Sequence, residues 1–125
     1  MEHQANSLVI GIVGPCAAGK STLIKNLAIY KLNIHHIAQE HSYVADMWQR
    51  ITNPDRLIFL DASFPVTNAR RQHDCTLDDY LEQHHRLRHA RQHADLYLLT
   101  DRLTPEEVVD HVLHFLGIEP GGLKI

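Results

Sequence analysis

Gly14, Gly19, Lys20 and Ser21 stand in the stretch "GPCAAGKS" at the spacing G-x4-G-K-[ST]. Those residue types at that spacing can hold a chain of phosphates. The glycines let the loop curl so that successive backbone N–H groups converge on an anion. Pro15, Cys16, Ala17 and Ala18 complete the loop, and Thr22 follows it. Lys20 can extend its ammonium to the β and γ phosphates, while the Ser21 hydroxyl can take one coordination position on Mg2+. This is the Walker A pattern, and it carries weight only between a buried strand and a helix.

Other side chains could complete such chemistry. A carboxylate is needed to hold Mg2+ through water or to orient the attacking group, and Glu40 and Asp61 each end an apolar run, "NIHHIA" and "LIFL". Arginines bind phosphate bidentately and stay charged. Arg70 and Arg71 form one pair, and Arg86, Arg88 and Arg91 a second group. On a helical wheel Arg91 falls on the apolar arc of Leu77, Tyr80, Leu81 and Leu87. Either the helix breaks near His84, or Arg91 faces the nucleotide or a buried acid. Cys16 lies inside the loop, where converging amides attract its thiolate; alternatively it is a small side chain packed between loop and sheet. The chain holds 11 histidines. His85, His89 and His93 recur every fourth residue, yet no third ligand type accompanies them, so they read as a polar helix face that gains charge near pH ~6.5.

The elements that must position these groups can be read from hydrophobic periodicity. "LVIGIV" (8–13) is a nearly continuous branched apolar run, as expected of a central parallel strand covered on both faces. From Lys20 to Tyr30, Leu23, Ile24, Leu27 and Ala28 recur at helical spacing. The Walker A stretch therefore has its strand and its helix. Further strands are expected at 33–38, 57–60 and 96–99, with helices around 44–50 and from Thr76 toward Ala94. The final helix has Thr104 as N-cap, Pro105 at its first position, Glu107 at the third and Gly117 as its stop. Alternating strands and helices imply a layered α/β fold with right-handed crossovers.

Composition narrows the class of protein. At 125 residues the chain fits one domain, and 22% charged residues with a net charge of -3 supply no basic field for nucleic acid. No apolar run is long enough for a membrane span and no secretory leader is visible, so a cytoplasmic protein is expected. Two widely separated cysteines, Cys16 and Cys75, suggest neither a disulfide framework nor a zinc knuckle. The base-reading motif N-K-x-D is absent, since "TNPD" lacks the lysine, so ATP is the expected nucleotide.

Taken together, these stretches resemble the small P-loop kinases of metabolites and nucleotides, the group containing shikimate kinase, gluconate kinase and the nucleoside and nucleotide kinases. "LIFLDASFPVTNARRQ" looks like that family's late strand and the helix that ends in lid arginines, which makes Arg70 and Arg71 candidates to close over phosphates. "RLRHARQHADLYLLTDRLTPEEVV" is similar to its C-terminal segment, with Arg86 at the matching arginine. "QEHSYV" is similar to the Q-E-R-S-Y segment of deoxynucleoside kinases, with His41 in place of the arginine. Because Asp61 lies on the late strand, Glu40 is the favoured catalytic carboxylate and Asp61 the alternative. The acceptor-gripping insertion and the lid are both reduced.

The resemblance implies a three-layer P-loop NTPase fold of about four parallel strands flanked by helices. The nucleotide-binding domain would span 8–117, between a flexible arm at 1–7 and a tail at 118–125. It also implies a kinase-like phosphotransferase or ATPase that uses Mg2+ and ATP. Lys20, Glu40 and Arg86 would be catalytic, Ser21 and Glu40 would serve the metal, and the loop 14–22 with Arg70 and Arg71 would hold the nucleotide. A small-molecule acceptor or a partner protein would complete the system. The alternative is a non-catalytic module that binds ATP or ADP and lacks an acceptor site.

Overall fold

The apolar run near the start of the chain forms β1 (Val9–Val13), and its side chains alternate between two buried faces. The computed structural model describes residues 8–118; the expected arm at 1–7 and the expected tail beyond Ile118 lie outside the described residues. Three more strands join β1: β2 (Asn33–His36), β3 (Arg56–Asp61) and β4 (Leu96–Leu99). They form one all-parallel sheet in the order β2-β1-β3-β4. Ile10 lies level with Ile34 on one side and Arg56 on the other, and Ile58 with Leu96.

The period of two assigns each strand residue to a layer. Ile10, Ile12, Ile58, Leu60 and Leu98 face α1 (Lys20–Asn26) and α6 (Pro105–Leu116) through Leu23, Val108, Val112 and Leu113, and Ile118 packs against this cluster. Val13, Leu57 and Phe59 face the opposite layer, which contributes Trp48 from α2 (Met47–Ile51) together with Leu87 and Ala90. Helices therefore flank both faces of the sheet. Among the described residues, no helix is long and apolar enough to cross a membrane.

The structure corrects the expected helices at three points. The first is an α-helix only as far as Asn26; Ala28–Tyr30 tighten into a 3₁₀ turn, and left-handed Lys31 (φ 55°) turns the chain back toward β2. The short helix begins at Met47 rather than Val44. The long helix is two: α4 (Leu77–Arg86) and α5 (Arg88–His93), divided at fully buried Leu87. At the break the Arg86 carbonyl accepts a bond from the Gln39 side chain. Between β3 and α4 lies α3 (Phe64–Arg70).

The ends of α6 follow from its sequence. The Thr104 hydroxyl accepts the Glu107 N–H at 3.1 Å, the Glu107 carboxylate accepts the Thr104 N–H at 2.8 Å, and Gly117 closes the helix at φ 74°. Thr104→Ala is expected to cost about 1 kcal/mol. In urea it should lower the unfolding midpoint with no change in slope; an unchanged midpoint would show that the cap contributes nothing to the packed helix.

Candidate phosphate cradle and its flanking cavities

The loop from Gly14 to Gly19 leaves β1 with left-handed or near-left-handed backbone at three of its positions: Gly14 (φ 153°), Ala17 (φ 63°) and Gly19 (φ 103°). Gly14 is required by close approach, since a Cβ there would lie 2.0 Å from the Leu60 carbonyl oxygen of β3. The loop's carbonyls are held from outside. Arg70 Nη1 donates to Ala17 O at 2.8 Å, the Thr100 hydroxyl to Ala18 O at 3.0 Å, and Lys20 Nζ to Gly14 O and to Pro15 O at 2.9 Å. With these carbonyls engaged, the N–H groups from Gly19 into the first turn of α1 have no partner within the helix. Of the loop's own N–H groups, those of Cys16 and Ala18 are taken up by Gln83 Oε1 at 2.9 Å and Pro15 O at 3.3 Å.

Lys20 is not the exposed side chain that a surface loop would provide. Its ammonium also lies 3.0 Å from Glu40 Oε2, and the two side chains are 6% and 5% exposed. Glu40 occupies a 3₁₀ turn, Gln39–His41, just past the carboxyl end of β2 and beside the cradle strand. This is the crevice end of an open α/β sheet, where ligands bind. Its second oxygen, Oε1, is buried without a hydrogen-bond partner among the described residues. A buried carboxylate oxygen left unpartnered is costly and is the kind of donor that a cation satisfies.

Gln39 sets the turn that carries Glu40. Buried to 1%, it donates to Val44 O at 2.8 Å and to Arg86 O at 3.2 Å and accepts the Trp48 N–H at 2.8 Å. It is the first residue of the "QEHSYV" stretch, but no periodicity or spacing assigns it this role. Arg86 stacks over the Tyr43 ring at 4.3 Å, pairs with Glu82 at 3.0 Å and reaches Glu40 O at 3.4 Å, so it braces the turn from α4. Gln83 was not anticipated either. Its Oε1 accepts the Cys16 N–H at 2.9 Å and its Nε2 donates to Cys16 Sγ at 3.3 Å.

Two cavities meet at the loop. One, of about 330 Å³, is lined by Cys16, Lys20, Ser21, His36 and Glu40. The other, of about 470 Å³, lies between Arg70, Thr100, Leu103, Pro105 and Val108. Both share Ala17, Gly19 and Thr22. Arg70 thus stands beside the loop, whereas Arg71 turns to Asp74 at 3.7 Å. Arg91 faces neither cavity; it lies over the Tyr97 ring at 3.8 Å. His85 contacts Arg88, while His89 accepts the Trp48 indole N–H at 3.1 Å and stacks on His93.

Asp61 belongs to a different network. Its Oδ1 lies 2.9 Å from His84 Nε2 and also accepts the Ala62 N–H, while Oδ2 accepts the Tyr97 hydroxyl at 2.7 Å. His84 Nδ1 lies 3.0 Å from the Tyr80 carbonyl. Both ring nitrogens therefore face acceptors, and only the imidazolium can donate from both. Burial alone would raise the Asp61 pKa, but the bonds from His84 and Tyr97 outweigh it and hold the carboxyl below its ordinary 3.8. Burial likewise pushes His84 down, yet Asp61 and the Tyr80 carbonyl raise it above 6.5. Burial and the bond to Asp61 push the Tyr97 hydroxyl up to about 12.

The direction of the pH dependence follows. His84 contributes stability fully below pH 6.5 and loses it as pH rises through its raised folded value. Asp61 contributes fully above pH 3.8 and loses it as pH falls through its lowered value. Denaturation midpoints followed from pH 5 to 9 should fall more steeply on the alkaline side for the native chain than for His84→Gln. Parallel profiles would mean that the pair does not titrate with folding.

No family model matches the chain, and a search of curated proteins gives no match.

Proposed function

We propose that this chain is a P-loop nucleotide-binding protein of the small-kinase type, built to hold Mg-ATP and to act as a phosphotransferase or ATPase. The observation that carries the reading is the pair of cavities that share Ala17, Gly19 and Thr22: one lined by Lys20, Ser21 and Glu40, the other mostly apolar with Arg70 and Thr100 at its wall. A phosphate chain suits the first and a purine base the second. The donor set fits the group, since the Glu40 carboxylate keeps a buried free oxygen and the Ser21 side chain lines the same space.

When bound, Mg-ATP would supply the phosphoryl group and a charge that spreads its negative oxygens. The chain's own residues do the rest. Lys20, already held over the loop, transfers its donors from Gly14 and Pro15 to phosphate oxygens. Glu40 accepts from water or an acceptor hydroxyl and orients it. Arg70 fixes the loop against β4 and presents its planar group to the base cavity.

One observation favours the second reading, a module that binds ATP or ADP without turning it over. The Asp61 carboxylate, the other acid at the strand ends, is committed to His84, Tyr97 and Ala62. Calorimetry with Mg-ATP and Mg-ADP, followed by phosphate release with and without candidate acceptors, separates the two. Binding with release supports the enzyme, and binding without release supports the module. Absence of binding to either nucleotide overturns both.

A further inference from the structure

Three side chains of different donor type converge where the Gln39–His41 turn meets the cradle. Cys16 Sγ lies 4.0 Å from His41 Nε2, and His41 Nε2 lies 3.7 Å from Glu40 Oε2. One ligand atom from each residue falls within 4.8 Å of the other two. In a tetrahedral zinc site, with Zn–S near 2.3 Å and Zn–N and Zn–O near 2.0 Å, donor atoms stand about 3.5 Å apart. The two measured distances need to close by up to about 0.5 Å each, and the Cys16–Glu40 pair, within 4.8 Å, by at most about 1.3 Å. A thiolate, an imidazole and a carboxylate are a donor set for a borderline-soft divalent ion; Mg2+, which wants oxygen and water, would not select the sulfur.

We infer that Cys16, Glu40 and His41 form a binding site for a zinc-class divalent metal ion at the rim of the phosphate cavity, with a fourth coordination position left open.

Two independent features support it. The Glu40 carboxylate is buried and its Oε1 has no hydrogen-bond partner among the described residues, while the Oε2 that lies 3.7 Å from His41 also holds Lys20 at 3.0 Å, so an ion would draw on the carboxylate's unpaired oxygen. Gln83 is arranged around the sulfur. Because its oxygen must face the Cys16 N–H, its amide nitrogen is left to donate to Sγ. A donor of that kind stabilises a metal-bound thiolate and fixes its direction.

The nearby Lys20 ammonium opposes a divalent ion, but it is also shared with the Gly14 and Pro15 carbonyls. With the ion and Lys20 both present, the thiolate and the carboxylate leave the rim net positive. An anion, such as a phosphate oxygen, would therefore suit the open position. All three donors come from this chain, so the site is tested apart from nucleotide.

The test is titration of the full, reduced chain with Co2+ alone, without nucleotide, followed by absorbance. The expected result is a near-ultraviolet thiolate-to-cobalt band that saturates at one ion per chain and disappears when Zn2+ is added. Cys16→Ser should remove the band, while Cys75→Ser, which alters a cysteine buried elsewhere, should keep it. The His41 side chain is 61% exposed, so His41→Ala leaves folding intact while raising the Co2+ dissociation constant at least about tenfold. A native chain with no such band, a band that survives Cys16→Ser, or a His41→Ala chain that titrates like the native one would each overturn the site.

Discussion

Lys20→Met is expected to lower the unfolding free energy by about 3–5 kcal/mol, the range for removing one partner of a buried ion pair. The Glu40 carboxylate would remain 5% exposed with no cation beside it. Adding Glu40→Gln to that chain removes the stranded charge, so the double variant should regain most of the loss. This departs from what an exposed cradle lysine would do, which is to affect ligand and leave the fold untouched. Because the double variant is the better folded, it is also the one in which to measure Mg-ATP. Loss of hydrogen bonds to charged phosphates, about 1.5–3 kcal/mol, should weaken binding at least about tenfold. Urea denaturation of the native chain and both variants, with calorimetry on the native and double-variant chains, decides both points. A double variant no more stable than Lys20→Met would show that Glu40 is not what the ammonium neutralises, and native affinity in it would overturn the cradle.

Glu40→Gln alone should lower ATP turnover at least about 100-fold while nucleotide affinity stays within a few fold, as expected when a group that orients the attacking oxygen is removed. The amide keeps an acceptor oxygen for Lys20 but not the counter-charge, so this variant too is destabilised and turnover is read per folded molecule. Asp61→Asn is the control. It breaks the contact with His84 and shifts stability toward the pH behaviour of His84→Gln, but leaves turnover per folded molecule within a few fold. If Asp61→Asn loses turnover and Glu40→Gln does not, the carboxylate roles are exchanged.

The parts of this structure legible in the sequence are those whose causes are local. β1 and β3 announce themselves as short branched apolar runs, and the final helix carries its start at Thr104 and Glu107 and its stop at Gly117. The cradle spacing was equally local. The division of the long helix was legible in part: Arg91 on the apolar arc points to a break near His84, but its place at Leu87 goes with a contact on the Arg86 carbonyl from Gln39, far back in the chain. Gln39 and Gln83 act through single side-chain amides with no periodic trace; Gln39 stood out only as part of "QEHSYV", and Gln83 not at all. His84 did leave a trace: it stands one helical turn after Tyr80, on the same arc, and the two rings lie 4.2 Å apart. The Lys20–Glu40 pair depends on parallel pairing of β1 with β2, which brings the turn after one strand beside the loop after the other.

The strand order also governs how the molecule is assembled in time. β1 bears the cradle, yet what holds the loop arrives later: Leu60 of β3 against Gly14, Arg70 on Ala17, and Thr100, just after β4, on Ala18. Each parallel pairing, Ile10 with Arg56 and Ile58 with Leu96, must close a full crossover before it gains any contact. Non-local pairings of this kind are slow to form. On the ribosome, β1 and its branched apolar run therefore emerge with no partner strand on the β3 side until the middle of the chain follows, and the pocket is finished only after β4. The nascent chain thus passes through an interval in which a short branched apolar strand is uncovered and open to self-association.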